Sequence, residues 1–198
     1  MKKPVRYPGG AKRSSGNKTS HPPKQRSYAN RGKELEAYIE LSNEMYTQRN
    51  RAVVNRQHPE VVVVRKGKQI VSAFFKEKAG LDYIGLKDGR GFTFDTKETK
   101  NTTSFPLDNI EGHQVMSMRR YTDQGGFAFL MVRFVKHHEI YILTYEQLKD
   151  WWEGYTGDGR KSIPYEWFTL NCDIVTAGSG MAIDYLPTIE PYLRKNTQ

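Results

Sequence analysis

The segment that most limits how this chain can fold is Leu81 to Lys100, LDYIGLKDGRGFTFDTKETK. Phe92 to Lys97 alternates in polarity. Successive side chains of a strand point to opposite faces, so Asp95 and Lys97 share one face and Phe94 takes the other. Leu81-Asp82-Tyr83-Ile84 reads as a neighbouring strand, and Lys87 to Gly91 has the glycine and charge of a turn. The expected unit is a hairpin with one apolar face for a core and one polar face. It brings Asp82, thirteen positions before Asp95, to the same sheet end as Asp95 and Lys97. Two carboxylates and an ammonium so arranged can hold a hard divalent cation and support attack of water on a phosphodiester. In a chain with 22 acids and 31 bases, Asp-x-Lys also arises by chance, and it then describes a charge pair on a solvated edge strand.

The positive charge is concentrated. Residues 1 to 33 hold ten Lys or Arg and no acid, leaving 21 bases against 22 acids in the rest, so the formal excess of +9 lies in the N-terminal arm. Pro4, Pro8, Pro22, Pro23, Gly9, Gly10 and Gly16 stand there among Ser, Asn and Lys, which gives too little apolar surface to fold alone. A disordered basic arm is therefore expected over residues 1 to 30, ahead of one domain over 31 to 198. Such an arm suits nucleic acid, whose binding releases counterions as phosphates are neutralised. A solubilising tail has the same composition.

The domain is of ordinary size, with 37% hydrophobic residues and twelve tyrosines available for a core. Gly32 to Arg49 predicts a helix whose stripe is Leu35, Tyr38, Ile39, Met45 and Tyr46, with Glu40 and Glu44 opposite and Glu36 at the border. Ala52 to Val54, Val61 to Arg65 and Ile70 to Phe75 predict strands, the last two joined by the basic turn Lys66-Gly67-Lys68. The resulting hairpin, residues 61 to 76, carries Phe74 and Phe75, which suit stacking on bases and suit a plain core equally well.

Asp108 to Tyr121 reads as a helix, and Phe127 to Phe134 and Ile140 to Leu143 read as strands around a His137-His138 turn. Thr144 with Gln147 has capping-box spacing for a following helix. No apolar run approaches a membrane span, and the basic N-terminus lacks the apolar stretch of a secretory signal. The single Cys172 excludes an internal disulfide and agrees with a cytoplasmic setting. Adjacent histidines point apart on a strand, so zinc is not expected; a Walker-type phosphate loop, an internal repeat and a Ser-His-Asp arrangement are absent from the sequence.

An ordered set of motifs carries a resemblance. Asn30-Arg31-Gly32 precedes the helix with Glu36, and DTKETKNTTSFPL runs from Asp95 to Leu107. His113-Gln114, GRKSI from Gly159 to Ile163, and Ile183-Asp184-Tyr185 follow. Together they resemble the RecU family, Holliday-junction resolvases of Gram-positive bacteria and their phages. The resemblance implies an α/β, restriction-endonuclease-like PD-(D/E)xK core, a central mixed sheet flanked by helices with a projecting hairpin stalk. It implies Asp82, Asp95 and Lys97 as catalytic residues. Mg²⁺, or Mn²⁺, would be bound by Asp82, Asp95 and Gln114 with support from Glu36. Arg31, Lys66, Lys68, Phe74 and Phe75 would contact DNA. Asp95 stands where cellular relatives usually carry glutamate. The implied partners are four-way DNA junctions, a second copy in a homodimer and a RecA-type recombinase. A non-catalytic DNA-binding or recombinase-modulating protein, or a nuclease of this fold acting on other DNA, shares the arm and much of the motif set.

Overall fold

In a computed structural model, the described residues are 33–58, 60–75, 80–157 and 159–194, with the side chain of Phe75 outside them. The expected arm and Arg31 also lie outside the described residues. The chain runs α1 (Lys33–Gln48), β1 (Val53–Arg56), β2 (Val61–Lys66), β3 (Gln69–Phe75), β4 (Tyr83–Lys87) and β5 (Arg90–Thr99). It continues through β6 (Ser104–Pro106), a 3-10 turn at Leu107–Asn109, α2 (Gly112–Asp123), β7 (Phe127–Phe134), β8 (Glu139–Thr144) and α3 (Tyr145–Thr156). The last elements are β9 (Ser162–Pro164), α4 (Tyr165–Asn171), β10 (Asp173–Gly178), β11 (Met181–Asp184) and α5 (Leu186–Arg194). Among the described residues no helix is long and apolar enough to cross a membrane.

Seven strands form one sheet in the order β1-β4-β5-β7-β8-β10-β11. Neighbours are antiparallel except β5 and β7, which are parallel and joined through α2. This mixed sheet flanked by helices is the α/β architecture with a central mixed sheet expected from the sequence. Period-two alternation divides its two faces. Phe92, Phe94, Phe129 and Met131 pack with α1 and α5, whereas Ala128, Leu130, Val132 and Phe134 pack with α2, α3 and α4. Phe94 stacks on Tyr83 at 4.7 Å and on Phe129 at 4.9 Å, which anchors the middle of β5 on the α1 side.

The stripe on α1 differs from the expected one. Leu35, Ile39, Ser42, Asn43 and Tyr46 are buried, whereas Tyr38 is 40% exposed and Met45 only partly covered. The polar members are buried because distant groups satisfy them. Ser42 Oγ donates to the Ile183 carbonyl at 2.6 Å, Tyr185 Oη donates to Asn43 Oδ1 at 2.5 Å, and Tyr46 Oη donates to Asp184 Oδ1 at 2.8 Å. Thus Ile183-Asp184-Tyr185 is the seam between β11 and α1. Two other motif fragments meet in the same way: Ser104, Phe105 and Pro106 pair with Pro164, Ile163 and Ser162, so TSFPL and GRKSI form one small sheet beyond the end of β5.

Helix α2 starts at Gly112, four residues later than the expected Asp108, because Gln114 Oε1 accepts the Glu111 N–H at 3.0 Å and fixes the cap there. The Thr144–Gln147 capping box and the His137-His138 turn form as expected. Strands β2 and β3 pair only with each other among the described residues, with a register shift at Val64/Arg65. Val61, Val63, Val64, Ile70, Val71 and Phe74 are all exposed, so neither face of this hairpin has a core to cover it. Phe74 is accordingly no core residue.

Candidate active site

The β4–β5 hairpin closes through Asp88-Gly89, with φ of 50° and 76°, the left-handed pair that a two-residue hairpin turn requires. That closure sets the register Tyr83↔Phe94. Asp82 stands one residue before β4, slightly outside the strand expected for it, and opposite Asp95. Its position is held on both sides. Leu81 is buried in the core beneath α2, and the Asp82 carbonyl accepts the Gln57 N–H at 2.7 Å.

Asp95 is only 2% exposed, and each of its oxygens has a partner. Oδ1 accepts the Thr96 N–H at 2.6 Å; Oδ2 accepts the Gln114 side-chain amide and lies 3.2 Å from Lys97 Nζ. Gln114, expected to contribute to a metal site, reaches Asp95 with its nitrogen, because its oxygen serves the α2 cap. Burial first, then the charge of Asp95 and a hydrogen bond with it, push the Asp82 carboxyl up to about 6, against the opposing pull of Lys97 and Arg56.

Glu36, expected to support the metal site, is drawn elsewhere. Its carboxylate pairs with Arg56 Nη2 at 2.7 Å, and Arg56 Nη1 pairs with Glu40 at 2.5 Å. Among the described residues, no group of three or more His, Cys, Asp or Glu is arranged to hold a metal. Arg56 is the residue that sequence reasoning missed. It ends β1 opposite Tyr83, lies over that ring at 6.0 Å, and its charge reaches Asp82. Only the β1–β4 register reveals this, and a lone Arg at a strand end gives no such signal. Lys66 and Lys68 are exposed at the tip of the separate hairpin, and Phe74 is exposed on β3.

The donor set suits a hard divalent cation. The two carboxylates lie close enough that like charge makes a second negative charge unfavourable, and a dication removes that conflict. The same conflict costs stability in metal-free protein. With its carboxyl raised from 3.8 to about 6, Asp82 binds its proton more tightly in the folded state, so stability falls as pH rises through that window and stays reduced above it. Metal-free Asp82→Asn is therefore expected to melt above the wild type at pH 8. The difference should fade below about pH 4, where both forms are neutral. An Asn variant that melts at or below the wild type at pH 8 would contradict the assigned repulsion.

A family model described as "RecU: Recombination protein U" matches residues 30–191. Holliday junction resolvase RecU of Oceanobacillus iheyensis is 34% identical over 192 residues, covering 94% of this chain and 98% of that protein. The Geobacillus kaustophilus resolvase of the same name is 34% identical over 193 residues, covering 94% and 96%. That of Staphylococcus carnosus is 36% identical over 173 residues, covering 82% and 83%. Among solved structures, the Holliday junction resolvase Hjc of Archaeoglobus fulgidus aligns with a TM-score of 0.39 at 10% identity, over 69% of this chain and 89% of that one. The α/β core carries an acid pair and an adjacent lysine at one sheet end. The chain belongs to the RecU family.

Proposed function

We propose that this protein is a structure-selective endonuclease that resolves four-way DNA junctions by metal-dependent phosphodiester hydrolysis. The observation that carries this reading is Asp82 opposite Asp95, with Lys97 Nζ 3.2 Å from the latter, on one sheet face. The shared name of the relatives supports the substrate. Asp82 and Asp95 would hold Mg²⁺, or Mn²⁺. When bound, the cation supplies charge neutralisation at the phosphate and acidifies water, so no protein nucleophile is required. Thr96 N–H and Gln114 keep the Asp95 carboxylate oriented. Lys97 brings positive charge to the place where the phosphate gains negative charge, or orients the attacking water.

A homodimer would set two such sites on opposed strands of a twofold junction and give paired symmetric nicks. In this reading residues 1 to 30 and Arg31 add phosphate contacts, 31 to 198 form the nuclease domain, and the 61 to 76 hairpin is a stalk whose Lys66, Lys68, Phe74 and Phe75 meet the junction centre. A RecA-type recombinase is the protein partner this reading brings with it.

The stalk separates a resolvase from a general nuclease. Lys66→Ala with Lys68→Ala is expected to weaken binding to a four-way junction more than to a matched linear duplex, with part of the loss recovered at low salt. Only the branched substrate offers a central opening that gathers phosphates around the tip. Equal weakening on both substrates would move the assignment to a nuclease of ordinary duplex.

A further inference from the structure

We infer that the groove between the β4–β5 hairpin and α2 seats the sugar-phosphate backbone of the DNA strand on one side of the cleaved phosphate, with Arg120 as a phosphate contact. This rests on the nuclease reading above and extends it to a binding path.

The groove is an open cleft of about 1180 Å³. It starts at Gly80-Leu81, the two residues before Asp82, and lies on the sheet face that Asp95 and Lys97 occupy. Ile84 and Thr93, paired across the hairpin next to the acid pair, line it. Its far wall is one stripe of α2, Ser117, Arg120 and Tyr121, continued by the C-cap Gln124 at three- and four-residue spacing. A strand whose scissile phosphate stands at Asp82 and Asp95 would meet this cleft at its Leu81 and Thr93 end.

The floor is kept low by glycine. A Cβ on Gly91 would come within 2.6 Å of Tyr121 Oη, and one on Gly126 within 2.3 Å of the same ring. Tyr121 thus lies in a slot that larger residues would fill.

The charge also fits an anionic strand. Arg90, Arg120 and His58 line the cleft against one acid, Glu60. The two neighbouring arginines of α2 differ in a telling way. Arg119 Nε pairs with Asp123 at 3.7 Å, whereas Arg120 has no ion-pair partner among the described residues. An exposed arginine with no ion pair among the described residues, beside a groove that begins next to the acid pair, is available to a phosphate.

The test uses the full chain, a four-way junction in EDTA, and a salt titration of the affinity. Arg120→Ala is expected to bind severalfold more weakly at moderate salt and to lower the slope of log affinity against log salt by about one unit, one phosphate contact. Arg120→Gln should match it, which isolates charge from helix propensity. Arg119→Ala should keep the wild-type slope. Neutral methylphosphonates placed beside the cleaved phosphate should weaken the wild type and leave Arg120→Ala nearly unaffected. An Arg120→Ala slope equal to wild type, or an equal loss from Arg119→Ala, overturns the groove while wild-type cleavage of the junction leaves the nuclease reading standing. An Arg120-dependent slope in a protein that cuts no DNA with Mg²⁺ would keep the groove as a DNA contact and remove the nuclease reading.

Discussion

Asp95→Asn is expected to abolish Mg²⁺-dependent cleavage while leaving junction affinity in EDTA within about twofold of wild type, since one buried acid contributes little to phosphate contact. The size of the loss follows from the position. Asp95 is the most buried member of the site, and its carboxylate is where Gln114, Lys97 and the Thr96 N–H converge. Neutralising it removes half of the carboxylate charge available to a cation. Charge stabilisation of several kcal/mol in the transition state corresponds to roughly a thousandfold or more in rate. The asparagine oxygen can still accept the Thr96 N–H, so the melting temperature should show a folded variant. Cleavage by Asp95→Asn at the wild-type rate would remove Asp95 from the site.

Lys97→Ala has the second largest expected effect. The ammonium is mostly buried, lies 3.2 Å from Asp95, and helps to keep Asp82 ionised. It shares the polar face of β5 with Asp95, so it meets whatever phosphate the acid pair receives. Removing one such preorganised charge costs about a hundredfold to a thousandfold in kcat. Single-turnover rates at saturating Mg²⁺ should drop by that factor with junction affinity unchanged. A drop in affinity at an unchanged rate would make Lys97 a binding residue only.

What was legible in the sequence is what repeats locally. Alternation from Phe92 to Lys97 and a turn over Lys87 to Gly91 were enough to bring Asp82 and Asp95 to one sheet end, and Thr144 with Gln147 was enough to start α3. The missed features depend on partners far along the chain. Ser42 and Asn43 are absent from the expected stripe, yet they are buried against groups about 140 residues away. Glu36 sits at the border of its helix as expected, but Arg56 claims it, and only the β1–β4 register puts that guanidinium in reach. The start of α2 was misplaced because Gln114, read as a metal ligand, is also the residue that caps the helix. Short strands such as β9, β10 and β11 give too few alternations to be read before their neighbours are known.

The most direct measurement is cleavage of a four-way junction by the full chain, with each strand labelled in turn, in Mg²⁺ and in EDTA, beside a linear duplex of matched sequence. Paired nicks are expected at symmetric positions in two opposed strands, present with Mg²⁺, absent in EDTA, and much slower on the duplex. Intact junctions in both Mg²⁺ and Mn²⁺, or equal cutting with and without divalent metal, would contradict it.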